Sequence, residues 1–455
     1  MKGSMKALGI AALVLASLSG CSKEPGKGKD LSLLTTSTTV AEIAGLQQGA
    51  GAWNSEPVRN VPQLDFSSNG RGYFYVAEQG GAFHVVHNGN RHTSYTNILT
   101  PTLSPDGQHL AYQAYVDDKL RMVVDGKDGE VVEELEIPFF SPDSRHIVYQ
   151  AKKGGRWYFV VDGHSTPGNG TQHNQFGFSA DSSRIAYVDT VSEGAPPRLV
   201  VTDLGFKKLT TREATGSVMV ISENRTRIAA ISDAGGKKRV IELSFAQPDS
   251  VKEGALYDNV RDLAISPDGA SVAYVAEKGG ARLLIHDGKE QPFPAGELVG
   301  SIIFRPDGKG FGFLVGSKGS CAFYQSGAGA EVEKRPYDEV GELAYSKDGN
   351  SHVYLGRKVT PGQTGKSIFA VVNGKEGARF DKVAGPTFSP DGRLVAYRAR
   401  QDGKRFMVVS DLDGKIVRQD PVHEMVFPPV FSNDGKLLAY GVKDGAKLVW
   451  NVEKL

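Results

Sequence analysis

One turn, spelled Ser-Pro-Asp-Gly or a close variant and set between apolar runs, recurs ten times along this chain. It reads FSSNGRGYFYV from Phe66, LSPDGQHLAY from Leu103, FSPDSRHIVY from Phe140, FSADSSRIAYV from Phe178 and ISENRTRIAA from Ile221. The series continues as ISPDGASVAYV from Ile265, FRPDGKGFGFL from Phe304, YSKDGNSHVYL from Tyr345, FSPDGRLVAY from Phe388 and FSNDGKLLAY from Phe431. Successive copies stand 37 to 44 residues apart, which leaves no room for an inserted domain. Self-similarity at such a period marks a repeat architecture, so one tile fills the body of the chain.

The spelling follows from the physics of a turn. Proline presets φ at the first central position, an Asp or Asn side chain bonds its own backbone, and glycine accepts the positive φ that follows. Glycine accounts for 55 of the 455 residues, an excess that, without a collagen period, implies many turns. An acid or its amide fills the third place in every copy: Asn69, Asp106, Asp143, Asp181, Asn224, Asp268, Asp307, Asp348, Asp391 and Asp434. Catalysis needs a carboxylate once or twice, not ten times. Asp106, Asp143, Asp268, Asp307, Asp391 and Asp434 are therefore assigned to turn structure.

The second half of the tile repeats as well, in RMVVDGKDGE from Arg121, WYFVVDGHS from Trp157, LLIHDGKE from Leu283, FAVVNGKEG from Phe369 and FMVVSDLDGK from Phe406. Asp-Gly and Asn-Gly suit two-residue hairpins, whose central positions both need positive φ. Each tile thus predicts strand, turn, strand, loop, strand, hairpin, strand. The runs LVAY, HIVY, SVAYV and KLLAY are nearly continuous in apolar character, as in strands covered on both faces. A four-stranded antiparallel sheet covered on both faces and repeated about every 40 residues is a propeller blade. The motif FSPDG-[RK]-x-[LIV]-A-[YF] resembles the PD repeat, related to WD repeats, of TolB-like β-propellers over residues 51–455.

The expected fold is all-β, a β-propeller of ten four-stranded repeats in one large ring or two smaller rings divided near residues 245–260. The last copy supplies three strands before Leu455, so an N-terminal segment is expected to complete it, with residues 52–60 as the candidate. That closure would protect a sheet edge.

Residues 1–20 read as a signal peptide: Lys2 and Lys6 precede an apolar stretch from Ala7 to Leu18 that is short for a permanent span. The sequence Leu18-Ser19-Gly20-Cys21 resembles the lipobox of bacterial lipoproteins, which implies lipidation of Cys21 and anchoring to a membrane. Residues 21–50 are then a lipidated N-terminus and flexible tether. By the same resemblance, Ser22 after the cysteine favours the outer membrane, facing the periplasm. With Cys21 lipidated, Cys321 has no partner for a disulfide. It reads as a small apolar core residue.

Basic and acidic side chains nearly cancel, 53 against 52, so no overall field draws the chain to nucleic acid. The sequence lacks a G-x-S-x-G elbow, and TPGQTGKS at 360–367 has Thr360 where a phosphate loop needs its first glycine. His84, His87 and His92 are spaced on a strand so that a metal would need partners from other blades. DGKDGE at 125–130 and DLDG at 411–414 do not complete a calcium loop. No catalytic residue, metal or cofactor is assigned. Loops between second and third strands are the candidate binding positions, with Arg156, Trp157, Arg357 and Lys366 as the residues singled out. The resemblance implies a noncatalytic scaffold with a protein partner in the cell envelope. TolB's separate N-terminal domain has no counterpart here, so no role in the Tol-Pal system is carried over. A binding module for a small ligand, glycan or peptide at the channel is the second reading, and an enzyme the third.

Overall fold

The repeated turn is held by its own side chains. In the computed structural model Ser266 Oγ donates to Asp268 Oδ1 at 2.6 Å, and the same oxygen accepts the Ala270 N–H at 3.0 Å. Ser266 Oγ in turn accepts the Ser271 N–H at 2.9 Å. Local bonds of this kind satisfy groups that the end of a strand leaves open. The serine-to-acid bond recurs at Asp106, Asp143, Asp181, Asp348 and Asp391, and Ser222 makes it to Asn224. Asp307 departs from the pattern, because Arg305 occupies the serine position and bonds Asp307 through its guanidinium at 2.9 Å. The structure describes residues 38–42, 64–67, 72–166, 176–189, 197–214, 218–317, 319–326, 332–359, 367–432, 435–445 and 447–455. Asn69 and Asp434 lie outside them.

In five blades the second turn ties strands together at the same end. Asp125, Asp162 and Asp287 hold φ near 50°, and each accepts the N–H that opens the blade's second strand, from Leu110, Ile147 and Val272, at 2.9 Å. Asn88 and Asn373 do the same for Tyr73 and His352. The hairpin Asp or Asn therefore ties the end of the third strand to the start of the second.

Ten antiparallel sheets result, nearly all with strand order following the chain. Blades 1 to 9 occupy residues 64–95, 97–132, 134–166, 176–213, 219–253, 259–292, 297–335, 339–376 and 382–419, and blade 10 occupies 425–454. The first strands of successive blades touch: Asn259–Ile265 packs on Glu297–Phe304, that on Glu339–Tyr345, and that on Lys382–Phe388. Sheets whose first strands converge while their fourth strands diverge are arranged radially about an axis. The chain is a ten-bladed β-propeller, in a single ring.

Its apolar packing lies between blades. Val240 and Ile231 of blade 5 pack with Tyr274 and Ile285 of blade 6, around Tyr257 of the crossing between them, so the ring runs unbroken through residues 245–260. Leu355 and Ala370 of blade 8 meet Tyr397, Phe406 and Val408 of blade 9 in the same way. Both faces of a blade are covered, which accounts for the continuous apolar runs.

The N-terminal part of the chain closes the ring, through a different segment from the one expected. Thr38–Glu42 pairs antiparallel with Lys447–Lys454, placing Thr38 opposite Trp450 and Glu42 opposite Lys447. These five residues fall within the stretch expected to be tether. Two threonines and a valine in a row carry β propensity enough to add a strand to an open edge. Residues 52–60 and the rest of 21–50 lie outside the described residues.

Candidate functional site

The two ends of the ring differ in chemistry. At the turn end, carboxylates are spent on their own backbone, as at Asp106, Asp143, Asp268 and Asp391. The Ser266 hydroxyl and the Ala270 N–H hold the Asp268 carboxyl below the ordinary aspartate range. At the loop end lie the connections between second and third strands and the crossings to the next blade. Scaffolds present recognition residues on such loops.

Between the two ends, the inner strands are kinked. Blades 2, 6, 7, 8 and 9 each carry a register shift in the first strand, and Thr100, Asp262, Gly300, Glu342 and Gly385 sit there with positive φ. A bulge of this kind bends the strand and re-aims a side chain. Glu342 Oε2 accepts the Gly385 N–H at 2.7 Å, so the bulges of blades 8 and 9 meet. A side chain at position 385 would contact the Arg398 guanidinium. Glu342 is open to solvent, though neighbouring protein crowds its carboxyl. Burial raises its pKa, against the pull of the Gly385 amide and Arg398. Asp262 is raised likewise by burial, although Arg261 pairs with it at 2.8 Å. Sequence reasoning missed these residues, because a bulge shows only once strands are paired.

Two open cavities lie on the loop end. One of about 520 Å³ is lined by Glu277, Arg282, Phe293 and Glu297, the other of about 460 Å³ by Arg379, Phe380, Lys404 and Phe406. In the first, Arg282 lies over the Phe293 ring at 5.6 Å and donates to Glu297 at 3.0 Å.

No protein family matches this sequence, and no curated protein does. Solved structures do match. A eukaryotic initiation factor is similar over 76% of this chain and 95% of its own, with 14% identity and a TM-score of 0.50. The Dos1 propeller aligns with 68% of this chain and 90% of its own, at 10% identity and a TM-score of 0.40. TolB from Acinetobacter baumannii aligns with 61% of this chain and 78% of its own, at 16% identity and a TM-score of 0.29. The likeness is one of fold.

Among the described residues, those singled out from sequence do not form one site. Trp157 is 6% exposed, buried in blade 3, with Lys152 Nζ 6.0 Å from its ring centre. Arg156 beside it is exposed. Arg357 pairs with Glu339 at the loop end of blade 8. Cys21 and Lys366 lie outside the described residues.

The other candidates take packing roles. His87 is buried and within 3.1 Å of the Gly107 carbonyl, and His92 Nδ1 is within 3.1 Å of the Tyr112 hydroxyl. No group of metal-binding side chains gathers among the described residues. Asp411 accepts the N–H groups of Asp413 and Lys415, and so forms a hairpin turn. Cys321 is buried between blades 7 and 8, and burial raises its thiol's pKa.

Proposed function

We propose that this chain is a noncatalytic interaction scaffold, held in a bacterial cell envelope by lipid on Cys21, at the outer membrane facing the periplasm. The lipobox-like Leu18-Ser19-Gly20-Cys21 supports the anchor, and the resemblance to TolB-like propellers supports a protein partner. The observation that carries the scaffold reading is the asymmetry of the ring. One end is built of tight, self-bonded turns, while the other carries two open cavities and charged loop residues on a frame packed blade against blade. A rigid frame lowers the ordering cost of binding.

Two measurements test this reading. Cys21→Ser is expected to move the protein from membrane to soluble fractions, and unchanged membrane retention contradicts the anchor. Capture from detergent-solubilised envelope is expected to enrich one stoichiometric partner, and capture of none removes the scaffold reading.

A second reading, a ligand site in the channel, draws on Glu342 and Asp262 at the kinked inner strands and on Arg398 of the neighbouring second strand in blade 9. Here a glycan or peptide raises the melting temperature of the wild type. Glu342→Gln abolishes that rise.

A further inference from the structure

At the loop end of blade 9, a cavity of about 460 Å³ opens on the side that faces blade 8. Gln401 stands directly opposite Lys404, two pairs along from Ala399 and Phe406. Alternate pairs project from the same face of a sheet, and on this face Tyr397, Ala399, Phe406 and Val408 pack on Leu355 and Val372 of blade 8. Gln401 and Lys404 therefore continue that face beyond the end of the packed core. Arg379 and Phe380 line the cavity from the crossing between blades 8 and 9, and Val422 lines it from the crossing between blades 9 and 10.

Its floor is apolar. Phe380 and Phe406 meet at 5.6 Å between ring centres. Val422 beside them is 49% exposed, so apolar area remains that a ligand would take out of water. Arg379 lies 4.6 Å from the centre of the Phe369 ring, donates to the Lys358 carbonyl at 3.3 Å and pairs with Glu376 at 3.1 Å, which fixes its guanidinium in place.

Two polar groups around that floor are uncommitted. Lys404 is exposed, and its ammonium has no hydrogen bond or ion pair among the described residues. At the same hairpin place in blade 5, Lys237 pairs with Asp258 of the next crossing at 3.2 Å. The bridges from Lys238 to Tyr257 and from Arg405 to His423 align the two hairpins. They make Glu424 the counterpart of that acid, and Lys443 already holds it at 3.0 Å. Gln401 Oε1 is buried without a hydrogen-bond donor, an uncommon state for a carbonyl oxygen. Asp402 is the acid among the lining residues, and it disfavours a ligand with more than one negative charge.

We propose that this cavity receives the C-terminal residue of a protein partner, an apolar residue with a free α-carboxylate. This deepens the scaffold reading and rests on it. In such a residue one negative group, one amide N–H and an apolar side chain all radiate from a single carbon. The carboxylate meets the Lys404 ammonium in a charge-assisted bond, and the side chain covers Phe380, Phe406 and Val422. The N–H is donated to Gln401 Oε1, which turns to the cavity by rotation of the terminal amide. Directly opposite residues are rooted about 5 Å apart, close enough for Lys404 and Gln401 to serve two groups of one residue. A glutamate inside a chain carries its carboxylate at the tip of its side chain and leaves the apolar floor uncovered.

The test uses the full chain in detergent and three probes, measured by calorimetry. They are acetyl-Gly-Gly-Leu, the same peptide with an amidated C-terminus, and free leucine. The acid is expected to bind about tenfold more tightly than the amide, which offers Lys404 no charge. Lys404→Gln is expected to weaken the acid about tenfold and leave the amide unchanged, and Lys404→Glu to abolish binding of the acid. Both variants are expected to melt with the wild type, because the Lys404 side chain is exposed and unbonded. Failure of the acid to bind, equal binding of acid and amide, or equal affinity for the acid in wild type and Lys404→Gln overturns the proposal. So does tighter binding of free leucine than of the tripeptide, which would make the cavity a site for an amino acid. Partner capture that is intact in Lys404→Glu keeps the scaffold reading and removes this cavity from it.

Discussion

At the scale of the residue, the acids of the repeated turn behave as fasteners. Ser266 is fully buried, and its hydroxyl has Asp268 as acceptor. Asp268→Ala strands that hydroxyl and the Ala270 N–H, so a loss of about 1–3 kcal/mol is expected from denaturant midpoints. Asp307→Ala is expected to cost less, because its partner is a guanidinium at the surface, not a buried hydroxyl. Acid stability follows from the same bonds. Hydroxyl and amide donors depress the carboxyls of Asp181, Asp268 and Asp348. Their stabilisation is complete above the unfolded aspartate value, about 3.9. It is lost as pH falls through the lower folded values. Thermal melts are therefore expected to hold steady down to about pH 4.5 and drop steeply below pH 4.

At the scale of the element, the same turn also spaces the blades. A Cβ on Gly107, which has φ 74°, would lie 2.5 Å from Ser67 Oγ and 2.6 Å from the Gly72 Cα of blade 1. Gly107→Ala meets both the dihedral and the clash, and a loss of about 2–3 kcal/mol is expected. Serine at the equivalent place turns the approach into a bond: Ser144 Oγ accepts the Asp106 N–H at 3.0 Å. Ser144→Gly trades that bond against relief of its own positive φ, and a change under about 1 kcal/mol is expected by thermal melting. These turns were legible in the sequence because their chemistry is local, spelled within six residues. The bulges at Asp262 and Glu342 were not, since a register shift belongs to a pair of strands.

At the scale of the whole molecule, blades contact their neighbours through separate apolar clusters, as in other repeat proteins. The period of the motif was enough to predict blades and their number. It could not identify the closing strand, because TTVAE carries no repeat signature and is recognised only by the edge it covers. Deleting residues 1–42 uncovers the backbone of Lys447–Lys454. A lower melting temperature and self-association through that edge are expected, measured by light scattering. A monomer of unchanged stability would show that the strand is dispensable.

The pairing of Thr38–Glu42 with Lys447–Lys454 also imposes a timetable. During synthesis the first of these segments leaves the ribosome hundreds of residues before its mate exists. Nine blades can stack in the meantime, yet the circle stays unlocked until Lys447–Lys454 has been made. Any factor that shelters the nascent chain must keep this early piece available, and free of other edges, until then.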